Sequence, residues 1–194
     1  MIQRSEIECR ANEALRSFGI AKAPFSYIKE ICDHEHITIK RANFSSAMDG
    51  AFSVIGNHKY IFYNPQMIDG RKNFTKAHEL GHYFLSHQLE EGNMIYCYNQ
   101  HVSEENRQAL PRIETEANYF ATYFLMPKQM MLKEYQIIAN LLGIDTYRRL
   151  YVDKQTCNHK YWMLVSRHFA SRFGVSNEAL GYRLDSLGMI DYRM

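Results

Sequence analysis

The sequence predicts an α+β fold that is mostly helical and contains a small antiparallel sheet. Apolar residues recur at helical spacing in both halves of the chain, and residues 37–63 carry short β-prone runs separated by a turn. No internal repeat or flexible linker divides the 194 residues, of which 46% are apolar and 23% charged. We therefore expect residues 1–194 to form a single domain.

Charge and cysteine usage exclude several functional classes. The 23 Lys and Arg residues nearly balance the 21 Asp and Glu residues, so the net charge of +2 does not indicate nucleic-acid binding. Charged residues interrupt residues 1–20 and leave no apolar run long enough for a signal peptide or a membrane span. No C-x-x-C pair occurs among the four cysteines, which are Cys9, Cys32, Cys97 and Cys157. We expect a cytoplasmic protein whose cysteines remain thiols.

Two helices are expected before the sheet. One face of residues 4–18 is apolar and a glycine follows where the helix would end, the residues being Ile7, Ala11, Leu15, Phe18 and Gly19. Pro24 suits the first turn of a second helix, because an N–H at that position would have no helical partner. From Ile37 the pattern changes to three β-prone runs. Pro65 ends the last of them, since proline cannot donate to a strand ladder.

A longer helix, expected over residues 73–88, carries the motif H-E-x-x-H at His78, Glu79 and His82. At 3.6 residues per turn both histidines project from the same side of the helix, so both can bind one zinc ion. Glu79 is rotated by about 100° from His78, which suits a general base that takes a proton from water. Gly81 would let another element pack closely behind the histidines.

A catalytic zinc site needs a third protein ligand, and two glutamates are candidates. The metzincin motif would require a histidine at position 88, but Gln88 stands there and excludes that class. The next expected helix, which ends at Pro127, contains both Glu114 and Glu116. Glu116 borders the apolar stripe of that helix, whereas Glu114 lies nearer its exposed side. We therefore expect Glu116 to be the third ligand, with Glu114 as the alternative.

Four runs of residues together carry a family resemblance. They are Asp49-Gly50-Ala51-Phe52, the strand end Tyr63-Asn64-Pro65, residues 73–85 around the H-E-x-x-H motif, and residues 116–127, which begin Glu116-Ala117-Asn118-Tyr119-Phe120-Ala121. Over residues 20–127 the chain thus resembles the ImmA/IrrE family of bacterial metallopeptidases. The resemblance implies a zincin-like core in residues 20–127, in which the H-E-x-x-H helix packs on the helix that carries the third ligand. Residues 128–194 would form a helical extension.

The same resemblance implies a cofactor and a biological role. It implies Zn²⁺ as the cofactor, with His78, His82 and Glu116 as ligands and Glu79 as the general base. Members of this family are typically encoded with a helix-turn-helix repressor, often on phage or other mobile genetic elements, and relieve repression by cleaving it. We therefore expect a zinc-dependent endopeptidase whose substrate is a repressor encoded nearby.

An alternative from another functional class stays open. The protein would then be a non-proteolytic regulator that binds zinc and acts by stoichiometric binding to its partner repressor. The presence of Glu79 disfavours this alternative, because a purely structural zinc site has no use for a base. For the endopeptidase, we expect the strand at residues 60–63 to be an edge on which an extended substrate pairs.

Residues 166–190 resemble a helix-turn-helix, with Gly174 at the turn and Ser176 as the N-cap of the second helix. That second helix contains one arginine, Arg183, beside two acidic residues. Such a helix has little to offer phosphates or base edges. We therefore expect it to pack within the protein rather than to bind nucleic acid.

Other residues near the motif are candidates for supporting roles. His87 lies about 140° around the helix from His82, so we expect it to support the ligands or the structure rather than to share the metal. A tyrosine could stabilise a developing oxyanion, and the sequence leaves four candidates open, namely Tyr63, Tyr83, Tyr119 and Tyr123.

Overall fold

The computed structural model describes residues 2–44, 48–87, 94–98, 112–143, 149–153 and 155–192. The helices in these segments are α1 (Arg4–Ser17), α2 (Ile28–His34), α3 (Asp69–Phe84), α4 (Arg112–Leu125), α5 (Lys128–Leu142), α6 (Thr156–Phe173) and α7 (Asn177–Ser186), and a short 3₁₀ turn, Pro24–Tyr27, opens α2. The strands are β1 (Ile37–Arg41), β2 (Met48–Ile55), β3 (His58–Tyr63), β4 (Met94–Tyr98), β5 (Leu150–Val152) and β6 (Ile190–Tyr192). The predicted α+β class with mostly helical content is confirmed.

The larger sheet is mixed, so the prediction of an antiparallel sheet is wrong. Its strand order is β1-β3-β2-β4, in which β2 is antiparallel to β3 and β4 while β1 is parallel to β3. A tight turn joins β2 to β3 and makes them an antiparallel hairpin. β1 pairs with the other side of β3 and runs in the same direction as β3. Apolar patterning shows which faces are buried but does not fix the order of strands.

β3 is an interior strand, so the expectation that residues 60–63 form an edge is also wrong. Ile61 of β3 is paired with Phe52 of β2 on one side and with Ile39 of β1 on the other. Its side chain is fully buried. Within the described residues, β1 and β4 are the edges of this sheet. A peptide could therefore pair with β1 or β4, but not with β3.

α3 lies against the sheet and packs closely on α4. A Cβ at Gly81 of α3 would lie 3.1 Å from the Cβ of Phe120 and 3.2 Å from the backbone of Ala117, both on α4. Phe120 stacks with Phe84 at 5.6 Å and with Phe124 at 5.9 Å between ring centroids. These rings form part of one core that also includes α1 and α2. The glycine in the motif thus permits the close approach of the two helices.

α3 spans Asp69–Phe84, whereas the sequence predicted residues 73–88. The helix ends because Ser86 adopts a left-handed conformation with φ of 56°. The N–H of Ser86 donates to the carbonyl of Tyr83, and the N–H of His87 donates to the carbonyl of His82, each at 3.0 Å. These two bonds form a Schellman motif. His87 therefore leaves the helix and folds back beside its last turn.

In the carboxyl-terminal segment, two helices follow each other across a short turn. α6 ends at Phe173, Gly174 follows at the turn, and the side chain of Ser176 accepts the N–H of Ala179 at 3.2 Å as an N-cap. The side chain of Asn73 in α3 donates to the carbonyl of Gly174 at 2.9 Å, which ties this turn to α3.

That residues 1–194 form one domain, with a core in residues 20–127 and an extension in 128–194, stays a prediction. No described helix combines the length and apolar character that crossing a bilayer requires.

Gly50 lets β2 lie against α3, so we expect one added methyl group at this position to destabilise the fold. A Cβ at this position would overlap the side chain of Thr75 and lie 2.8 Å from the carbonyl oxygen of Phe62. We expect Gly50→Ala to lower the free energy of unfolding, measured by chemical denaturation, by about 1–3 kcal/mol. Ser53→Ala on the same strand is the control, because the buried Ser53 hydroxyl has no partner among the described residues. Its removal should leave the free energy of unfolding nearly unchanged. Equal stability of Gly50→Ala and the native chain would contradict the close packing.

Candidate metal centre

Two histidines of α3 and one glutamate of α4 converge at one point. The Nε2 atoms of His78 and His82 lie 3.0 Å apart. The carboxylate of Glu114 contacts both rings, with Oε2 3.1 Å from Nε2 of His78 and Oε1 3.3 Å from Nε2 of His82. Both histidines are buried, and the side chain of Glu114 is 13% exposed. Among the described residues, these three form the one group of His, Cys, Asp or Glu side chains placed to hold a metal ion.

The helical geometry explains why these side chains meet. His78 and His82 are four residues apart on α3 and project from the same side of the helix, as the motif spacing predicted. Glu114 lies in the first turn of α4, and Asn118 lies four residues later on the same side of that helix. The Oδ1 atom of Asn118 is 2.9 Å from Nδ1 of His78. One face of α4 therefore supplies contacts to both nitrogens of His78.

His87, a histidine outside the motif, contacts the Nδ1 side of the His82 ring. Nδ1 of His87 is 2.9 Å from Nδ1 of His82, and Nε2 of His87 is 3.2 Å from Oε2 of Glu116. Glu116 also accepts from Nε of Arg112 at 2.7 Å and from the backbone N–H of Ile2 at 2.9 Å. Its burial acts to raise the pKa of Glu116, but these contacts outweigh burial and lower the pKa. The carboxylate of Glu116 is therefore ionised and acts as an acceptor only.

These contacts fix the positions of the ring protons. Because Glu116 accepts, Nε2 of His87 donates to it, and Nδ1 of the neutral His87 then accepts the Nδ1 proton of His82. His78 likewise carries its proton on Nδ1, where it donates to the carbonyl oxygen of Asn118. Both histidines thus present an unprotonated Nε2 to the same space.

The converging atoms have the protonation states of metal ligands. Burial lowers the pKa of His82 to about 4, so this imidazole stays neutral. The carboxylate of Glu114 faces both unprotonated Nε2 atoms, at 3.1 Å from His78 and 3.3 Å from His82. Two nitrogen lone pairs and a carboxylate at such distances repel one another unless a cation lies between them. Neutral imidazole and ionised carboxylate are also the forms that bind metal ions, so the residues fit a divalent ion such as zinc.

Glu79 is fully buried beside the ligands, and neither of its carboxylate oxygens has a hydrogen-bond partner among the described residues. Burial and the negative charge of Glu114 raise its pKa well above the usual range. The glycine at position 50 leaves room for this carboxylate, since a Cβ there would lie 3.1 Å from its Oε1 atom. An unpartnered buried carboxyl group of this kind marks a functional site rather than a structural one.

Glu116, the expected third ligand, does not join the two motif histidines in the structure. It contacts His87 instead, and Glu114 occupies the place beside His78 and His82. The physical reason is the helical register of α4. Glu114 precedes Ala117 by three residues and therefore shares the face toward α3, whereas Glu116 lies on the side that meets Ile2 and the amino-terminal segment.

The sequence singled out His87 as a supporting residue but missed Asn118. The signal for Asn118 was its position four residues after Glu114, which places both on one side of the helix. The four candidate tyrosines are all engaged elsewhere, as shown by the pairs Tyr63–Arg41, Tyr83–Glu35, Tyr119–Arg4 and Tyr123–Arg183. A tyrosine role at the oxyanion gains no support from these contacts.

The second helix of the helix-turn-helix segment does not offer its single arginine to a ligand. The side chain of Arg183 is buried, and its Nε donates to the carbonyl of Met126 at 3.0 Å. A second nitrogen lies 3.3 Å from the carboxylate of Glu8 on α1. Arg183 thus fastens α7 to the core, in agreement with the expectation that this segment packs within the protein.

Comparison with known proteins connects this site to a family. The family model Peptidase_M78, described as the IrrE N-terminal-like domain, matches residues 32–185. The chain belongs to this family. The resemblance to ImmA/IrrE proteins that the sequence motifs indicated is thereby confirmed, and the family is one of peptidases.

The chain is also similar to a solved structure, that of a Mycobacterium tuberculosis transcriptional regulator. The two are 16% identical with a TM-score of 0.52, and the match covers 93% of this chain and 46% of that one. This chain therefore spans about half the length of that protein, and the likeness concerns the fold alone. Comparison with curated proteins gave no match.

The two glutamates of α4 predict different responses in metal affinity. An amide at position 114 would lose the negative charge that faces the two Nε2 atoms, so we expect Glu114→Gln to weaken zinc binding by about 100-fold or more. Glu116→Gln should weaken zinc binding by about tenfold, because it only loosens His87 behind His82. Both affinities can be measured by competition with a coloured chelator. A larger loss of zinc affinity in Glu116→Gln than in Glu114→Gln would indicate that Glu116 is the third ligand.

Proposed function

We propose that the protein is a zinc-dependent endopeptidase that acts on a protein substrate. The observation that supports this most is the set of two unprotonated Nε2 atoms and one carboxylate that face one another next to a second, unpartnered carboxyl group. Membership in a peptidase family supports the same class of reaction. A structural zinc site would use four closed ligands and would not need Glu79.

His78, His82 and Glu114 would hold the metal, with Glu114 taking the role that the sequence had assigned to Glu116. When bound, a zinc ion in a His-His-Glu site polarises a carbonyl group and lowers the pKa of water toward about 7. Asn118 and His87 orient the two imidazoles through their Nδ1 protons. These contacts keep both Nε2 atoms directed at one point before any ligand arrives.

Glu79 would serve as the general base. Its carboxyl group lies next to the ligands, is fully buried, and makes no competing hydrogen bond within the described residues. The positive charge of a bound metal ion would favour its ionised form, which could take a proton from the attacking water and pass that proton to the leaving amine. Gly50 supports this role because any side chain there would press against Glu79.

The proposed substrate is a helix-turn-helix repressor encoded near the gene. Its cleavage would relieve repression, often of genes on a mobile element. Family membership supports this, as does the similarity in fold to a protein described as a transcriptional regulator. We also propose a cytoplasmic location. Cys9, Cys32 and Cys157 are free thiols, which suits a reducing compartment.

The proposed function is tested by removing the base and keeping the metal ligands. Glu79→Gln preserves the size of the side chain but cannot accept a proton, so we expect zinc to stay bound while repressor cleavage slows by roughly 10² to 10⁴. Glu30→Gln, an exposed substitution on α2, is the matched control and should cleave normally. The readout is cleavage of the neighbouring repressor on a gel, together with derepression of a reporter at equal protein abundance.

The same experiment separates the enzyme from the stoichiometric regulator. A regulator that acts by binding alone would relieve repression equally well with glutamine at position 79, since no proton transfer would be involved. Full derepression by Glu79→Gln with an uncut repressor would therefore reject the endopeptidase.

A further inference from the structure

A groove of about 790 Å³ is lined by four of the five residues of β1, and none of the candidate metal ligands lines it. Its walls come from α2, from β1 itself, from the two ends of β3 and from Lys76 on α3. Volumes between about 300 and 1,000 Å³ are typical of sites that enclose a ligand. The groove is therefore large enough for a short segment of another molecule.

The charged side chains that line the groove are mostly basic. Lys29, Arg41 and Lys76 face a single acidic residue, Asp33. Lys29 and Asp33 pair with each other on α2, so their charges cancel. His36 and His58 add further nitrogen donors. The groove thus retains two positive charges that no lining carboxylate neutralises.

One tyrosine holds both of these cations in place. Nε of Arg41 donates to the hydroxyl of Tyr63 at 3.2 Å, and Nζ of Lys76 lies 4.5 Å from the centre of the same ring. Within the described residues, neither cation has a carboxylate partner. Two like charges gathered around one ring repel each other, and an anion between them would relieve that repulsion.

Among the described residues, β1 also has one edge without a strand partner. β1 pairs with β3 on one side only, and no described strand lies on its other side. Its five residues, Ile37–Arg41, are long enough for an added strand of similar length. An unpaired strand edge forms hydrogen bonds with an extended peptide in a way that does not depend on the peptide sequence.

We propose that this groove binds an extended acidic segment of a partner protein. The segment adds a strand to β1, and its carboxylates contact Arg41 and Lys76. The combination of a strand edge with a few fixed cations favours a peptide over a nucleic acid, because a nucleic acid needs a longer basic surface and aromatic faces for its bases. The proposal does not rest on the metal centre, since none of its ligands lines the groove.

The test measures binding of a dye-labelled peptide of about seven residues that alternates valine and glutamate. Fluorescence anisotropy with the full chain gives its affinity in the presence and absence of a zinc chelator. We expect Arg41→Glu and Lys76→Glu each to weaken binding by about tenfold or more, through reversal of one contacting charge. Arg41→Gln and Lys76→Gln, which are milder, should weaken it less. Lys133→Glu, an exposed change on α5 with the same change in net charge, should leave the affinity unaltered.

Four further ligands decide what the groove recognises. A valine–lysine peptide and a valine–glutamate peptide with methylated backbone nitrogens should both bind at least about tenfold more weakly than the first peptide. Unchanged affinity in Arg41→Glu and Lys76→Glu, or equal binding of the methylated peptide, would overturn the proposal. Displacement by millimolar phosphate alone, or tighter binding of an oligonucleotide that depends on the same two residues, would also overturn it. If the native chain binds the peptide but does not cleave the repressor, the proposed function is rejected and this inference stands.

Discussion

The close contact between α3 and α4 is the constraint on which the candidate site depends. Gly81 lets the two backbones approach, and this approach places Glu114 and Asn118 against the histidines that lie three residues before and one residue after the glycine. The two Nδ1 protons then point away from the cluster, toward Asn118 and His87. What remains is a buried space that faces two nitrogen lone pairs and a carboxylate, an arrangement that is stable only with a cation.

The sheet and the end of α3 complete this arrangement. β2 lies close enough to α3 for Gly50 to face Glu79, which leaves that carboxyl group buried and free of hydrogen bonds within the described residues. The Schellman motif after α3 turns His87 back onto His82, and Glu116 holds His87 from the other side. Glu116 also accepts the backbone N–H of Ile2, so the amino-terminal segment is connected to a ligand through two side chains. A buried network of this kind is sensitive to the loss of any member.

The sequence predicted the parts of this account that follow from local periodicity. The spacing of His78 and His82 and the α+β class belong to this group. The position of Glu114 beside the histidines was predictable too, because it precedes Ala117 by three residues and shares its face, although the apolar stripe favoured Glu116. The position of β3 between β1 and β2 could not be predicted, since alternation does not determine strand order. The contact of His87 with His82 depends on a left-handed residue at Ser86, which composition does not signal.

The most direct measurement is a crystal structure of the zinc-loaded protein with anomalous scattering recorded on both sides of the zinc absorption edge. The account predicts one strong peak between Nε2 of His78, Nε2 of His82 and the carboxylate of Glu114, with zinc–nitrogen distances of about 2.0–2.1 Å. His87 and Glu116 should keep their mutual contact without touching the ion. A peak ligated by Glu116 or His87, or no peak at this position at full zinc occupancy in solution, would contradict it.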